Sequence, residues 1–320
     1  MKHNIMVMNK ITTILTIFTL IVFAVNQVNR CKSAPSAAPI PTNHRELKIL
    51  TWNIYMLPFC SEIHGNCKRA GSIANQIAAY NKDIIVFEEA FDHQARKILR
   101  SQLKGVYPFM YGPANDSKFS LKTSSGIWII SKIPLRQLEQ IEFKNRFGID
   151  AFARKGAVLF EGEWQGQSFQ LLGTHLQANS PDSIRCGQCK EIANKLLKKY
   201  ARPEIPQIVC GDFNIEFEDQ VNYKSMLSLL DAENGGLQGD VQSSFDEIDN
   251  QLAHKENGKK SLIDYVLVRN AKAIRNIERK VFVLKEHTKD NFSDLSDHYG
   301  IEASIHFENA TSLAFSLLHQ

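Results

Sequence analysis

Six groups of polar side chains stand at the margins of apolar runs: Asn53 after Leu50-Thr51-Trp52, Glu88-Glu89 after Ile84-Ile85-Val86-Phe87, His175 after Leu171-Leu172-Gly173-Thr174, Asp212 and Asn214 after Ile208-Val209-Cys210-Gly211, Asp264 inside 262–268, and Asp297-His298 ahead of 300–307. Each alone has a plain structural reading. Asn53 ends a strand, Gly211-Asp212-Phe213-Asn214 makes a turn, and Glu88 and Glu89 face solvent. Asp264 resists such a reading, because a carboxylate inside a β-branched run is costly to bury unpaired. Taken together, the types are carboxylates, carboxamides and two histidines, with no serine elbow, phosphate loop or His/Cys zinc spacing. Oxygen donors of this kind select a hard cation such as Mg²⁺, which binds phosphate oxygens directly. Two histidines suit paired acid and base roles in hydrolysis. The chemistry implied is metal-assisted attack of water on a phosphate ester.

Such a set converges only if strands bring it together. Short apolar or alternating runs at 47–54, 84–87, 126–131, 156–163, 169–174, 207–210, 262–268 and 300–307 read as strands. The stretches 69–80, 93–103, 185–200 and 223–230 read as helices, and 112–125 and 232–261 as Gly-, Asn-, Asp- and Ser-rich loops. Gln165-Gly166-Gln167 separates two β runs with no room for a helix, so that connection is a hairpin. Mixed sheets with helices outside, in the α/β class, fit this order better than a purely parallel sheet. A polar rim built from many strand ends is how open sheets make active sites.

The chain has 320 residues with 38 Lys and Arg against 34 Asp and Glu, a net charge of +4. Lys2, Lys10, Arg30 and Lys32 account for the whole surplus, since 1–43 contains no acid and 44–320 is balanced. Binding of a polyanion driven by overall charge is therefore disfavoured for the body. Lys2 and Lys10 precede an uncharged apolar run at 11–25, too short for an ordinary span, with a cut expected after Ala24. The expected organisation is a signal peptide or uncleaved anchor at 1–24, a Pro/Ala-rich linker at 25–43, a catalytic domain at 44–308 and a tail at 309–320. Export permits disulfides. Cys60 with Cys67 would close a local loop, Cys186 with Cys189 a strained bridge, and Cys210 reads as a small buried thiol.

Trp52-Asn53, Glu89, Gly173-Thr174-His175-Leu176, Gly211-Asp212-Phe213-Asn214, Ile263-Asp264-Tyr265 and Ser296-Asp297-His298-Tyr299 occur in the order found in the endonuclease/exonuclease/phosphatase superfamily, which includes deoxyribonuclease I. Within it, the stretches around Asn53, Glu89, His175 and His298 resemble the secreted sphingomyelinase C branch. The resemblance implies a four-layered α/β sandwich, two mixed sheets face to face with helices outside. It implies Mg²⁺, replaceable by Mn²⁺ or Co²⁺, on Glu89 and Asn53. His298 would be the base that deprotonates water, and His175 would protonate the departing alkoxide or sit on the phosphate. Asp212 would orient the water or the base, Asn214 would donate to phosphate, Asp264 would anchor one histidine and Asp297 would support the remaining hydrogen bonds. Lys155, before Gly156, would stabilise phosphate charge, while Gln188 would be structural. The implied substrate is sphingomyelin or a related choline phospholipid, reached through peripheral membrane contact by a monomer. The alternatives are a nuclease, helped by a basic strip of Lys118, Lys122, Arg146, Arg154 and Lys155, and an inositol-phosphate phosphatase. In one respect the chain departs from the branch: where an aromatic-rich hairpin is expected before Asp297, 285–296 is short and polar, with Phe292 its sole aromatic.

Overall fold

The computed structural model describes residues 46–58, 64–117, 122–148, 152–287 and 292–308. The expected leader, linker and tail, and Cys60, lie outside them. The strands are β1 (Glu46–Met56), β2 (Ile84–Ala90), β3 (Phe109–Tyr111), β4 (Trp128–Ser131), β5 (Leu135–Glu142), β6 (Gly156–Trp164), β7 (Gln167–His175), β8 (Gln207–Asp212), β9 (Phe245–Asp246), β10 (Lys260–Ser261), β11 (Asp264–Arg269), β12 (Ile274–Phe282), β13 (Lys285–His287), β14 (Phe292–Asp294) and β15 (Gly300–Phe307). The helices are α1 (Asn66–Ile77), α2 (His93–Leu103), α3 (Asp182–Ile192) and α4 (Gln220–Leu230). None of the described helices is long and apolar enough to cross a membrane.

The strand period of two builds the layers. Along β1, Leu47 and Ile49 are buried in one cluster, and Leu50, Trp52, Ile54 and Met56 in a second on the opposite face. The first cluster fills the space between two sheets and extends to α3 and α4; the second lies under α1 and α2. The first sheet runs β12-β15-β1-β2-β4-β3 and the second β11-β8-β7-β6-β5. Each is mixed, since β1 is parallel to β2 and β7 to β8 while the other pairings are antiparallel. The result is the expected four-layered α/β sandwich. Full burial of each core Leu, Ile or Phe contributes about 1.5–3 kcal/mol.

Every run read as a strand or a helix is one. The hairpin at Gln165-Gly166 has both residues at positive φ, 49° and 81°, the backbone that a two-residue turn between twisted strands requires. Three helices begin three residues earlier than the apolar pattern predicts, at Asn66, Asp182 and Gln220. Their first turns are polar and carry no periodicity. α2 is capped by Asp92, whose Oδ1 accepts from Gln94 N at 2.8 Å and Ala95 N at 3.0 Å. Strands β5 and β12 escaped the pattern because they are edge strands with solvated charges, and each has a bulge that breaks the alternation. Cys186 and Cys189 are separate thiols one turn apart on α3, not a bridge, and burial pushes the Cys189 thiol up to about 12. Cys210 is fully buried as expected.

Gly211 sits where β8 passes closest to β7: a Cβ there would lie 1.9 Å from the Thr174 carbonyl oxygen, on a backbone with φ 147°. Backbone cannot yield as a side chain can. Gly211→Ala should therefore cost about 2–4 kcal/mol, measured by urea denaturation. Gly166→Ala, at positive φ but with nothing within 4 Å of the new Cβ, should cost about 1 kcal/mol.

Candidate active site

The same alternation that builds the inter-sheet core turns it polar at one end. Leu47 and Ile49 are followed on their face of β1 by Thr51 and Asn53, and Ile84 and Val86 on β2 by Glu88. β1, β2, β7 and β8 end here, while β11 and β15, running the other way, begin here. Register then aligns Asp212 with His175 on one side and Asp264 on the other. Asp264 is thus the first residue of its strand, not an interior one.

Glu88 is fully buried and accepts from Thr51 Oγ1 at 2.7 Å. Burial holds its proton affinity well above the ordinary carboxylate range. The solvated reading of Glu88 is overturned. Glu89 continues the strand but takes left-handed backbone, φ 51°, which turns its carboxylate into the cavity. Such a conformation costs of order 1–3 kcal/mol and persists where surroundings enforce it. Its Oε2 is buried without a hydrogen-bond partner among the described residues, and its side chain bonds to Asn53. An orphaned carboxylate oxygen beside a carboxamide, at the wall of a cavity of about 480 Å³, fits a hard cation. A second group, Asp212, Asp264 and His298, has donor atoms within 4.8 Å of one another. There the ring nitrogen facing Asp264 is already hydrogen-bonded, which suits proton handling better than metal ligation.

His298 Nδ1 lies 2.9 Å from Asp264 Oδ2, and its Nε2 lies 3.8 Å from Asp212 Oδ2. Burial alone would lower the proton affinity of this ring, but the charges of Asp264 and Asp212 override it and raise it well above the usual value. His175 Nε2 lies 3.4 Å from the same Asp212 oxygen and 3.1 Å from Lys155 Nζ. Burial, then the Lys155 charge, hold His175 well below the usual value. Two histidines about one carboxylate are thus driven apart, one toward the cation and one toward the neutral ring. Asp212 is itself raised to about 6, chiefly by burial and then by Asp264. Its Oδ2 accepts from Asn53 Nδ2 at 3.1 Å, and its Oδ1 from Asn214 N at 2.9 Å. Asn214 lines the cavity. Asp297, raised to about 7 by burial, accepts from Ser296 Oγ at 3.3 Å.

Lys155 is buried, 4% exposed, and donates to Leu176 O at 2.9 Å, so it is not a solvated strand-end lysine. Of the basic strip, three members are tied up, Lys155 by burial and two arginines by an acid. Arg146 and Arg154 both bond to Glu142, and Lys118 lies outside the described residues. Gln188 is structural as expected, accepting from Gln177 N and donating to Asn145 O, each at 2.9 Å. Before Asp297, β13 and β14 do form a short antiparallel hairpin.

Several supports were not read from sequence. Trp52 Nε1 holds the His298 carbonyl at 2.9 Å, and the Phe245 ring lies 5.1 Å from the imidazole. Arg69, 7% exposed, donates to the carbonyls of Ile54, Tyr55, His64 and Leu295 and to Asn66 Oδ1. It ties the chain beyond Asn53 to the chain before Asp297. An arginine at the start of a helix gives no sign of partners more than 200 positions away in the sequence, such as Leu295. The local Ser296-Asp297-His298 and Trp52-Asn53 pairs were the only available hints.

A family model for the endonuclease/exonuclease/phosphatase family matches residues 50–298. Among known proteins, "Sphingomyelinase C 2" of Leptospira interrogans is 28% identical over 298 residues, covering 83% of this chain and 47% of that protein. The chain spans about half the length of the Leptospira relatives it matches first. Of solved structures, a beta toxin mutant from Staphylococcus aureus with bound magnesium ions is 27% identical with a TM-score of 0.70, covering 81% of this chain and 99% of that one. Sphingomyelinase C from Streptomyces griseocarneus is 25% identical with a TM-score of 0.72, over 81% and 99%. With the two mixed sheets and the strand-end polar cluster in the matched span, the chain belongs to the endonuclease/exonuclease/phosphatase family.

Proposed function

We propose that this protein is an exported Mg²⁺-dependent phospholipase C-type phosphodiesterase that hydrolyses sphingomyelin to ceramide and phosphocholine. The observation that carries the reading is the buried Asp264–His298 pair at 2.9 Å, facing His175 across Asp212 in one cavity. The relatives named sphingomyelinase C, similar over most of this chain, supply the substrate class. The acid-free leader with its apolar run supplies the export route.

Glu89, with Asn53 beside it, would hold the cation, which when bound supplies Lewis-acid charge to the phosphate oxygens. His298 takes a proton from water at Nε2 while Asp264 fixes Nδ1–H and stabilises the imidazolium. Asp212, between both rings, positions the water and the base. Lys155 and the Asn214 carboxamide offer N–H donors to the phosphate. An anionic phosphodiester in the cavity beside His175 raises the proton affinity of its ring, which then protonates the ceramide alkoxide. Asp297 holds Ser296 and so the segment that carries His298. A nuclease is disfavoured by the charge balance of 44–320 and by the pairing of Arg146 and Arg154 with Glu142.

Purified protein should release phosphocholine from sphingomyelin with Mg²⁺ and lose that activity in EDTA. Glu89→Ala, His175→Ala and His298→Ala should each lower kcat by about 10²–10⁴ in protein that stays folded by circular dichroism, and His298→Ala, which strands the buried Asp264 carboxylate, should also lower the thermal midpoint. Strong turnover in EDTA, or plasmid nicking that exceeds lipid hydrolysis, would overturn the reading. The pH profile gives a separate test. A base must be neutral to act, so the raised proton affinity of His298 puts the rising limb of kcat/KM above about 6.5, the ordinary histidine value. Asp264→Asn removes the largest charge that raises it, so the limb should move to lower pH as the rate falls. An unmoved limb would take His298 out of the base role.

A further inference from the structure

The catalytic cavity extends from the two histidines past a wall that no step of the hydrolysis uses. Phe245 and Glu247 both line it. They stand two residues apart on one ladder, where Phe245 pairs with Ser261 and Glu247 N donates to Lys259 O at 2.9 Å, so their side chains share a face. Asp246, between them, takes the other face, its Oδ2 2.9 Å from Lys260 Nζ. The wall is fixed to the catalytic pair. Ser244, just before Phe245, accepts at Oγ from Asp264 N at 3.1 Å and at its carbonyl from Tyr299 N at 2.7 Å, one residue past His298. The Phe245 ring thus stands 5.1 Å from the His298 imidazole.

Glu247 is only 5% exposed, yet it makes no ion pair among the described residues. Its Oε2 accepts from Asn257 N at 2.8 Å and from Lys259 N at 3.3 Å. Burial alone would raise its proton affinity, but these amides and that of Gly258 override it, so the side chain stays an anion. Backbone amides hold such a charge without cancelling it. The cations of the same lining are already answered, Lys259 by Glu216 and Arg185 by Asp182, while His254 Nε2 lies 3.4 Å from Glu256 Oε1. Glu247 therefore leaves a desolvated negative charge beside an aromatic ring. That pair of features suits a quaternary ammonium, which an aromatic face attracts most strongly where water is excluded. We propose that Phe245 and Glu247 recognise a quaternary ammonium carried two carbons from the phosphate ester oxygen, the headgroup of a choline lipid. An inositol phosphate or a polynucleotide brings no cation to the same carboxylate, so the wall also selects against both. The inference rests on the phosphodiesterase reading for the place of the phosphate.

The test compares phosphocholine with 3,3-dimethylbutyl phosphate, the same shape with carbon in place of the nitrogen, by calorimetry on the full chain with Mg²⁺. The parent should bind phosphocholine about ten-fold or more tightly than the carbon analogue. Glu247→Gln keeps an oxygen for the Asn257 and Lys259 amides and removes the charge, and should cut that ratio to about three-fold or less. Phe245→Leu, which removes the ring, should cut it likewise. Equal affinities in the parent, or a ratio that survives either variant, would overturn the proposal. The parent comparison involves no substitution, so it decides even where a variant misfolds. Sphingomyelin hydrolysis by a parent that binds both phosphates equally would keep the phosphodiesterase reading and overturn the ammonium wall. A ratio that depends on both residues, in a protein that hydrolyses no choline lipid, would uphold the wall and refute that reading.

Discussion

Asp264 has no exposure to water, and its Oδ2 sits 2.9 Å from His298 Nδ1. A buried carboxylate without a partner is costly, and removing one member of such a pair leaves the other charge stranded. The two residues belong to different sheets, Asp264 opening β11 and His298 preceding β15. The pair therefore spans the sandwich at the point where apolar packing stops. Asn53 Nδ2 makes a second crossing to Asp212 Oδ2. Both bonds exist only if the sheets meet at the right spacing and register, and the apolar cluster behind them sets that spacing.

The polar end depends in turn on several groups that share a small volume. Glu88, Glu89, Asp212 and Asp297 cannot all ionise together in so dry a place. Thr51 answers one oxygen of Glu88 and Ser296 one of Asp297, while Asn53 and the Asn214 backbone answer Asp212. Glu89 Oε2 remains unanswered among the described residues, and a cation resolves that deficit most simply. The opposite displacement of the two histidines follows from the same crowding. His298 faces acids, whereas His175 faces Lys155.

Much of the layout was legible in sequence because buried strands and helices announce themselves by period. The strands carrying Asn53, His175 and Asp212 are near-continuous apolar runs, as strands covered on both faces are. The edge strands β5 and β12 were not legible, since a solvated face carries ordinary charged residues and a bulge resets the period. Nor was the burial of Glu88, which depends on which face of β2 meets the second sheet. Arg69, first residue of a stretch read as a helix, proved to be a buried tie among carbonyls distant in sequence. The Cys186–Cys189 spacing permitted a bridge, but on α3 the two thiols remain separate.

The sequence by itself determined the residue types of the site, the strand margins on which they stand and the neutrality of the body, because these are local or additive properties. The tertiary structure decided that Asp264 serves His298, that Asp212 stands between the histidines and that Lys155 is buried against His175. Each of those is a contact between segments far apart in the chain. Its distance is fixed by sheet register and layer packing, which no single stretch of sequence encodes.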